Sequence, residues 1–114
     1  MTERERTGPW MEAGREAGLV LSAQQEDRDS YLELVEHYAR PLHGLAYALT
    51  RHPDDAIELT RDALIYGWKN IRHLPVGRPF CPWLTRAVRN LSIAIRRRRA
   101  SLGEAPQYGP SRER

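Results

Sequence analysis

The stretch Phe80 to Arg99, FCPWLTRAVRNLSIAIRRRR, separates into two faces when its residues are set at helical spacing. Phe80, Trp83, Leu84, Ala87, Val88 and Leu91 recur at three- and four-residue steps and form one apolar stripe. Arg86, Arg89, Asn90, Ile93 and Arg97 fall on another side, and the stretch ends in four consecutive arginines. A helix divided in this way buries one side against other helices and leaves the other for solvent or a polyanion.

Two further helices are predicted upstream. From Asp29 or Ser30, either of which can cap a helix, Leu32, Val35, Tyr38, Ala39, Leu42, Leu45, Ala46 and Leu49 keep the helical period. Pro41 removes a backbone donor within this run, and the continuing period favours a kink over a break. Pro53 suits a first helical position, and Asp54 and Asp55 suit the positive pole that follows it. The helix they open buries Ala56, Leu59, Ala63, Leu64, Gly67, Trp68 and Ile71, leaving Asp55, Glu58, Arg61, Asp62, Tyr66 and Lys69 outside. Residues 74–79 are dense in helix breakers and read as a loop. No strand pattern occurs, so the fold class is all-α.

Outside these helices the pattern fades. Residues 1–26 mix charges with Gly14, Gly18 and Pro9 around one apolar patch, Leu19 to Leu21, and read as a disordered arm. Residues 27–99 form the helical domain, and residues 100–114 read as a flexible tail or interdomain linker. A chain of 114 residues makes one domain at most, and it contains no apolar run near the roughly 20 residues of a membrane span. Its single cysteine cannot form an internal disulfide and no signal-peptide order precedes it, which fits a reducing, cytoplasmic setting.

The net charge of +3 conceals an asymmetry: residues 1–30 carry −3, residues 31–70 carry −2, and residues 71–114 carry +8. Nearly all of that positive charge is arginine, whose planar fork suits phosphates and base edges. Catalytic chemistry finds little support. His37, His43, His52 and His73 match no metal-ligand spacing, and Cys81 has no CxxC partner. Although Arg78 could activate Cys81, that residue reads better as a small buried filler, and no enzymatic activity or cofactor is expected.

Taken in order, Asp55-Ala56-Ile57-Glu58-Leu59-Thr60-Arg61-Asp62-Ala63-Leu64 through Trp68, then the loop, then Arg78 to Leu84 and Arg86-Ala87-Val88-Arg89-Asn90-Leu91 resemble the region-2 domain of extracytoplasmic-function sigma factors. The resemblance covers about residues 30–99 and implies a compact domain of three to four helices. It implies that the second helix binds the β′ clamp of core RNA polymerase, through Asp55, Glu58, Arg61, Asp62 and Ile65. It further implies that the third helix and its preceding loop recognise and melt the promoter minus-ten element, through Arg78, Arg86, Arg89, Asn90, Arg96 and Arg97. Trp68, Phe80 and Trp83 read as core residues rather than stacking platforms. An anti-sigma factor is a further candidate partner.

The sequence departs from the family pattern in three places. Arg61 stands where the family has glutamine, Ala94 where it has an acid, and Ile57 where a second acid is usual. Such factors also carry a second, helix-turn-helix domain, and the fifteen residues after Arg99 are too few to build one. The chain is therefore either an excised domain or a naturally short sigma-like protein. The alternative function is a truncated interaction module that binds polymerase or a regulatory partner without selecting promoters. Charge alone leaves a third option, a basic DNA-binding helical domain unconnected with polymerase.

Overall fold

The computed structural model describes residues 11–103, and these form four α-helices with no strand among them. They are α1 (Ala13–Gln24), α2 (Arg28–Thr50), α3 (Pro53–Asn70) and α4 (Phe80–Ser101), with a 3-10 turn at Ile71–His73. The all-α fold is as expected. No helix is long and apolar enough to cross a membrane among the described residues.

The largest departure from the sequence reading is α1, which occupies ground assigned to a disordered arm. Two glycines and a length of 12 residues make it marginal as an isolated helix, so the fold must supply its stability. It does so by burying Val20 and Ala23, at 8% and 1% exposure, with Met11 and Leu19 packed alongside. Glu12 caps it by accepting the Arg15 N–H at 2.9 Å. The rest of the proposed arm, residues 1–10, and residues 104–114 of the proposed tail lie outside the described residues.

A short connection in which Glu26 adopts a positive φ of 69° leads to α2. Its cap is Asp27, upstream of the expected Asp29 or Ser30, and it accepts from the N–H groups of both. The α2 helix runs unbroken through Pro41. At its end Arg51 takes the left-handed conformation, at φ 57°, and Pro53 begins α3 two residues later. That tight turn folds α3 back against α2.

The core lies where α2, α3 and α4 meet, with α1 packed on α2. Leu34, Tyr38, Leu42 and Ala46 of α2 face Ala56, Leu59 and Ala63 of α3 and Phe80, Leu84 and Val88 of α4. Tyr31 and Leu34 are core residues that the predicted stripe omitted, and Leu32, which it included, is 46% exposed. The Tyr31 hydroxyl donates to the Leu64 carbonyl at 2.6 Å, in the space where any side chain at position 67 would stand. A Cβ on Gly67 would lie 2.4 Å from that oxygen, so close helix approach requires glycine here. Phe80 is fully buried and edge-on to Tyr31, as expected of a core residue. Trp68 and Trp83 are only partly buried.

Candidate nucleic-acid interface

The α4 helix spans 22 residues with six arginines and no acid. Its apolar stripe is buried as predicted, with Ser92 and Ile95 extending it toward the C-terminal end. Arg86, Arg89, Asn90 and Arg97 are exposed along the opposite side, Arg78 is exposed in the preceding loop, and Arg96 is partly covered. The structure thus leaves these four side chains of α4, spread over three turns of one side, facing solvent. Beside them lies a shallow cavity of about 210 Å³ lined by Tyr66, Trp83, Arg86, Asn90 and Leu91. The Tyr66 and Trp83 rings stand 6.0 Å apart at 30°, so one flank of this cavity is aromatic and the other polar. Trp83 therefore packs on Phe80 and borders the exposed face as well, a dual position the apolar stripe alone did not reveal.

The four consecutive arginines do not act as a unit. Each helical residue turns about 100°, so Arg98 and Arg99 swing away from Arg97 toward α3. The Arg99 Nε hydrogen-bonds the Asp55 carboxylate, and Arg98 donates to both Glu58 oxygens at 3.1 Å. A longer contact of 3.8 Å links Arg98 to Asp55. Asp55 was expected outside, yet it is 5% exposed, because this ion pair satisfies it at the α3–α4 junction. The hydrogen bond from Arg99 holds its carboxyl below the ordinary value, and that from Arg98 does the same for Glu58.

The five residues assigned to a protein partner are spread across α3. Asp55 and Glu58 form the edge that meets α4, whereas Arg61 and Ile65 border a groove between α3 and α2. Asp62 is partly exposed. The groove encloses about 740 Å³ and is mainly apolar, with Leu32 and Val35 on one wall and Ile57, Leu64 and Ile65 on the other. Leu32, Ile57 and Ile65 are 46%, 57% and 47% exposed, an apolar concentration that folding alone does not account for. The sequence reading did not identify this groove. Its signals were Ile57 and Ile65, apolar residues on the outer side of a helix whose other outer positions are mostly charged.

Cys81 is buried, and that burial pushes its thiol above the ordinary value, in keeping with a packing role. Among the described residues no cluster of three or more potential metal ligands occurs.

Residues 34–101 match the family model for sigma-70 region 2. A 74-residue stretch is 26% identical to the ECF RNA polymerase sigma factor SigW of Bacillus subtilis, covering 65% of this chain. The aligned stretch spans 40% of the length of that relative.

Proposed function

The chain belongs to the sigma-70 region 2 family, and on that premise we propose that it binds core RNA polymerase and recognises minus-ten promoter DNA during transcription initiation. The observation that carries the DNA half is the acid-free outer side of α4, where Arg86, Arg89, Asn90 and Arg97 stand in the open. Arginines spaced along one side of a helix track a phosphate backbone, releasing condensed counterions as they bind. Asn90 and Arg86 present forks that can pair with base edges, and they border the cavity flanked by Tyr66 and Trp83. A base turned out of a melted strand could stack on an aromatic surface of that kind. Arg78, at the mouth of α4, adds a phosphate contact upstream.

The polymerase half rests on the outer side of α3. Ile65 and Arg61 border the apolar groove, and Ile57 extends it, giving a partner helix an apolar seat with a charged margin. Asp55 has a different part in this scheme: fixed by Arg99, it holds the two surfaces together, while the more open Glu58 remains at the margin. Glutamine in the family pattern at position 61 makes a neutral contact, and Arg61 makes a cationic one, so the partner surface should be acidic at that point.

Co-sedimentation of the chain with purified core RNA polymerase tests this. Wild-type protein should be captured, and Ile65→Glu, which places a charge in the groove, should weaken capture by about tenfold or more. No capture of the wild-type chain would refute the polymerase half.

A further inference from the structure

The α1 helix grips both ends of the segment that delivers the chain into α4. At one end the Gln24 side-chain amide donates to the carbonyls of Ile71 and Leu74, each at 2.9 Å. At the other, Glu16 accepts the Phe80 N–H at 2.8 Å on one carboxylate oxygen and the Tyr38 hydroxyl on the other. Tyr38 is in turn held by the Met11 N–H, at 3.1 Å.

The Glu16 contact fills a specific chemical gap. The first N–H groups of a helix have no partner within it, and a capping side chain ordinarily supplies one. Pro79 stands at the cap of α4 and has no side-chain acceptor to offer. A carboxylate from a helix 64 residues away in sequence takes that place, with a charge favourable to the positive pole. Gln24 lies two turns further along α1, about 12 Å away, which fixes the distance the loop must span. Between the two grips, Val76 is 89% exposed and Gly77 has a positive φ of 83°, features of a segment with little packing of its own.

We propose that α1 is a splint for residues 75–79 and the first turn of α4, with Glu16 and Gln24 as positioning residues for the DNA-reading face. They set where Arg78 stands relative to Arg86 and Asn90. Both lie outside residues 34–101, so neither belongs to the part of the chain that matches the family model. The inference rests on α4 facing DNA as proposed above. Its consequence is a separation of specificity from affinity. Without the splint the arginines keep their charge and their general attraction for phosphate, while the loop loses the fixed geometry that distinguishes one sequence from another.

Two measurements on the full chain test the splint and its purpose separately. The first is amide hydrogen exchange at Arg78 and Phe80, whose N–H groups bond the Pro75 carbonyl and the Glu16 carboxylate. Exchange there should rise about tenfold or more in Glu16→Ala and Gln24→Ala, while α2 keeps its protection. Glu16→Gln retains a carbonyl acceptor and should stay close to wild type. Unchanged protection in both alanine variants would overturn the splint; should Glu16→Ala lose protection throughout the protein, Gln24→Ala decides. The second uses core polymerase with each variant to select from fork-junction DNAs whose unpaired strand is randomised. Wild type and Glu16→Gln should enrich one sequence, and the alanine variants should lose that enrichment with an unchanged salt dependence. Full enrichment by the alanine variants would overturn the role in reading. Absence of enrichment by wild type would instead remove the minus-ten reading itself, and the exchange result would still decide the splint.

Discussion

The two ends of α4 are each held by carboxylates from another helix, but by different physics. At the N-terminal end Glu16 accepts from a backbone amide and a tyrosine hydroxyl, beside the fully buried Phe80. At the C-terminal end Asp55 and Glu58 meet the guanidinium groups of Arg99 and Arg98. One anchor is mainly apolar packing with polar guidance, and the other is charge on charge near the surface. Packing carries no charge for salt to screen, whereas the outer Arg98–Glu58 pair is open to screening and the more buried Arg99–Asp55 pair much less so. The exposed side chains between them, Arg86, Arg89 and Asn90, are thus presented by a helix whose two ends answer to different conditions.

The N-terminal anchor of α4 depends most on Phe80. Phe80→Ala removes a fully buried ring that contacts Tyr31, Tyr38 and Trp83, and should cost about 3–5 kcal/mol, read from chemical denaturation. A loss below 1 kcal/mol would mean that packing does not anchor this end.

At the opposite end, Asp55→Ala should cost about 1–3 kcal/mol, since it strips a charged partner from Arg99 at a nearly buried site. The same pair gives a pH signature. The folded-state pKa of Asp55 lies below its ordinary value of 3.8, so the stabilisation is complete above that value and is lost as pH falls through the folded one. Glu58 acts in the same direction from its ordinary value of 4.5. Thermal unfolding of Asp55→Asn should therefore show a lower midpoint at neutral pH and a shallower decline below about pH 4 than wild type. Parallel profiles would show that the ion pair contributes nothing.

Glu16→Ala should cost about 1 kcal/mol, the usual worth of a helix cap, and this loss should change less between low and high salt than that of Glu58→Ala, whose partner Arg98 is half-exposed. The smallest stability effect is expected at Arg97, where alanine should change unfolding by less than about 0.5 kcal/mol. Its DNA affinity should nonetheless lose salt dependence, the slope of log K against log salt becoming shallower by about 0.9. Arg99→Ala should show the reverse, a loss of stability with little change in slope.

What was legible in the sequence follows from the range of the forces involved. The faces of α3 and α4 could be read because periodicity is local, and each stripe was visible within about six turns. The α1 helix could not be read so, since Gly14 and Gly18 weaken it and its stability comes from contacts with α2 and the Ile71–Leu74 segment. The arginine run was legible as charge but not as four separate roles. Arg99 finds Asp55 across 44 residues, and that separation leaves no local trace. Asp55 illustrates the same limit, as its position at the start of α3 suggested exposure until α4 returned beside it. The apolar groove escaped notice because Leu32 had the right period for a core residue. The core chose Tyr31 and Leu34 instead, one residue back and two ahead, and left Leu32 facing Ile57.

Promoter recognition by the open middle of α4 can be measured directly. Binding of a fork-junction DNA with an exposed minus-ten strand can be followed by fluorescence anisotropy, using core polymerase loaded with either the wild-type chain or the Arg89→Ala, Asn90→Ala double variant. At about 1–3 kcal/mol for each base-edge contact, the variant should bind at least about tenfold more weakly while still associating with polymerase. Equal DNA affinity for the two loaded polymerases would contradict the assignment of this face to promoter recognition.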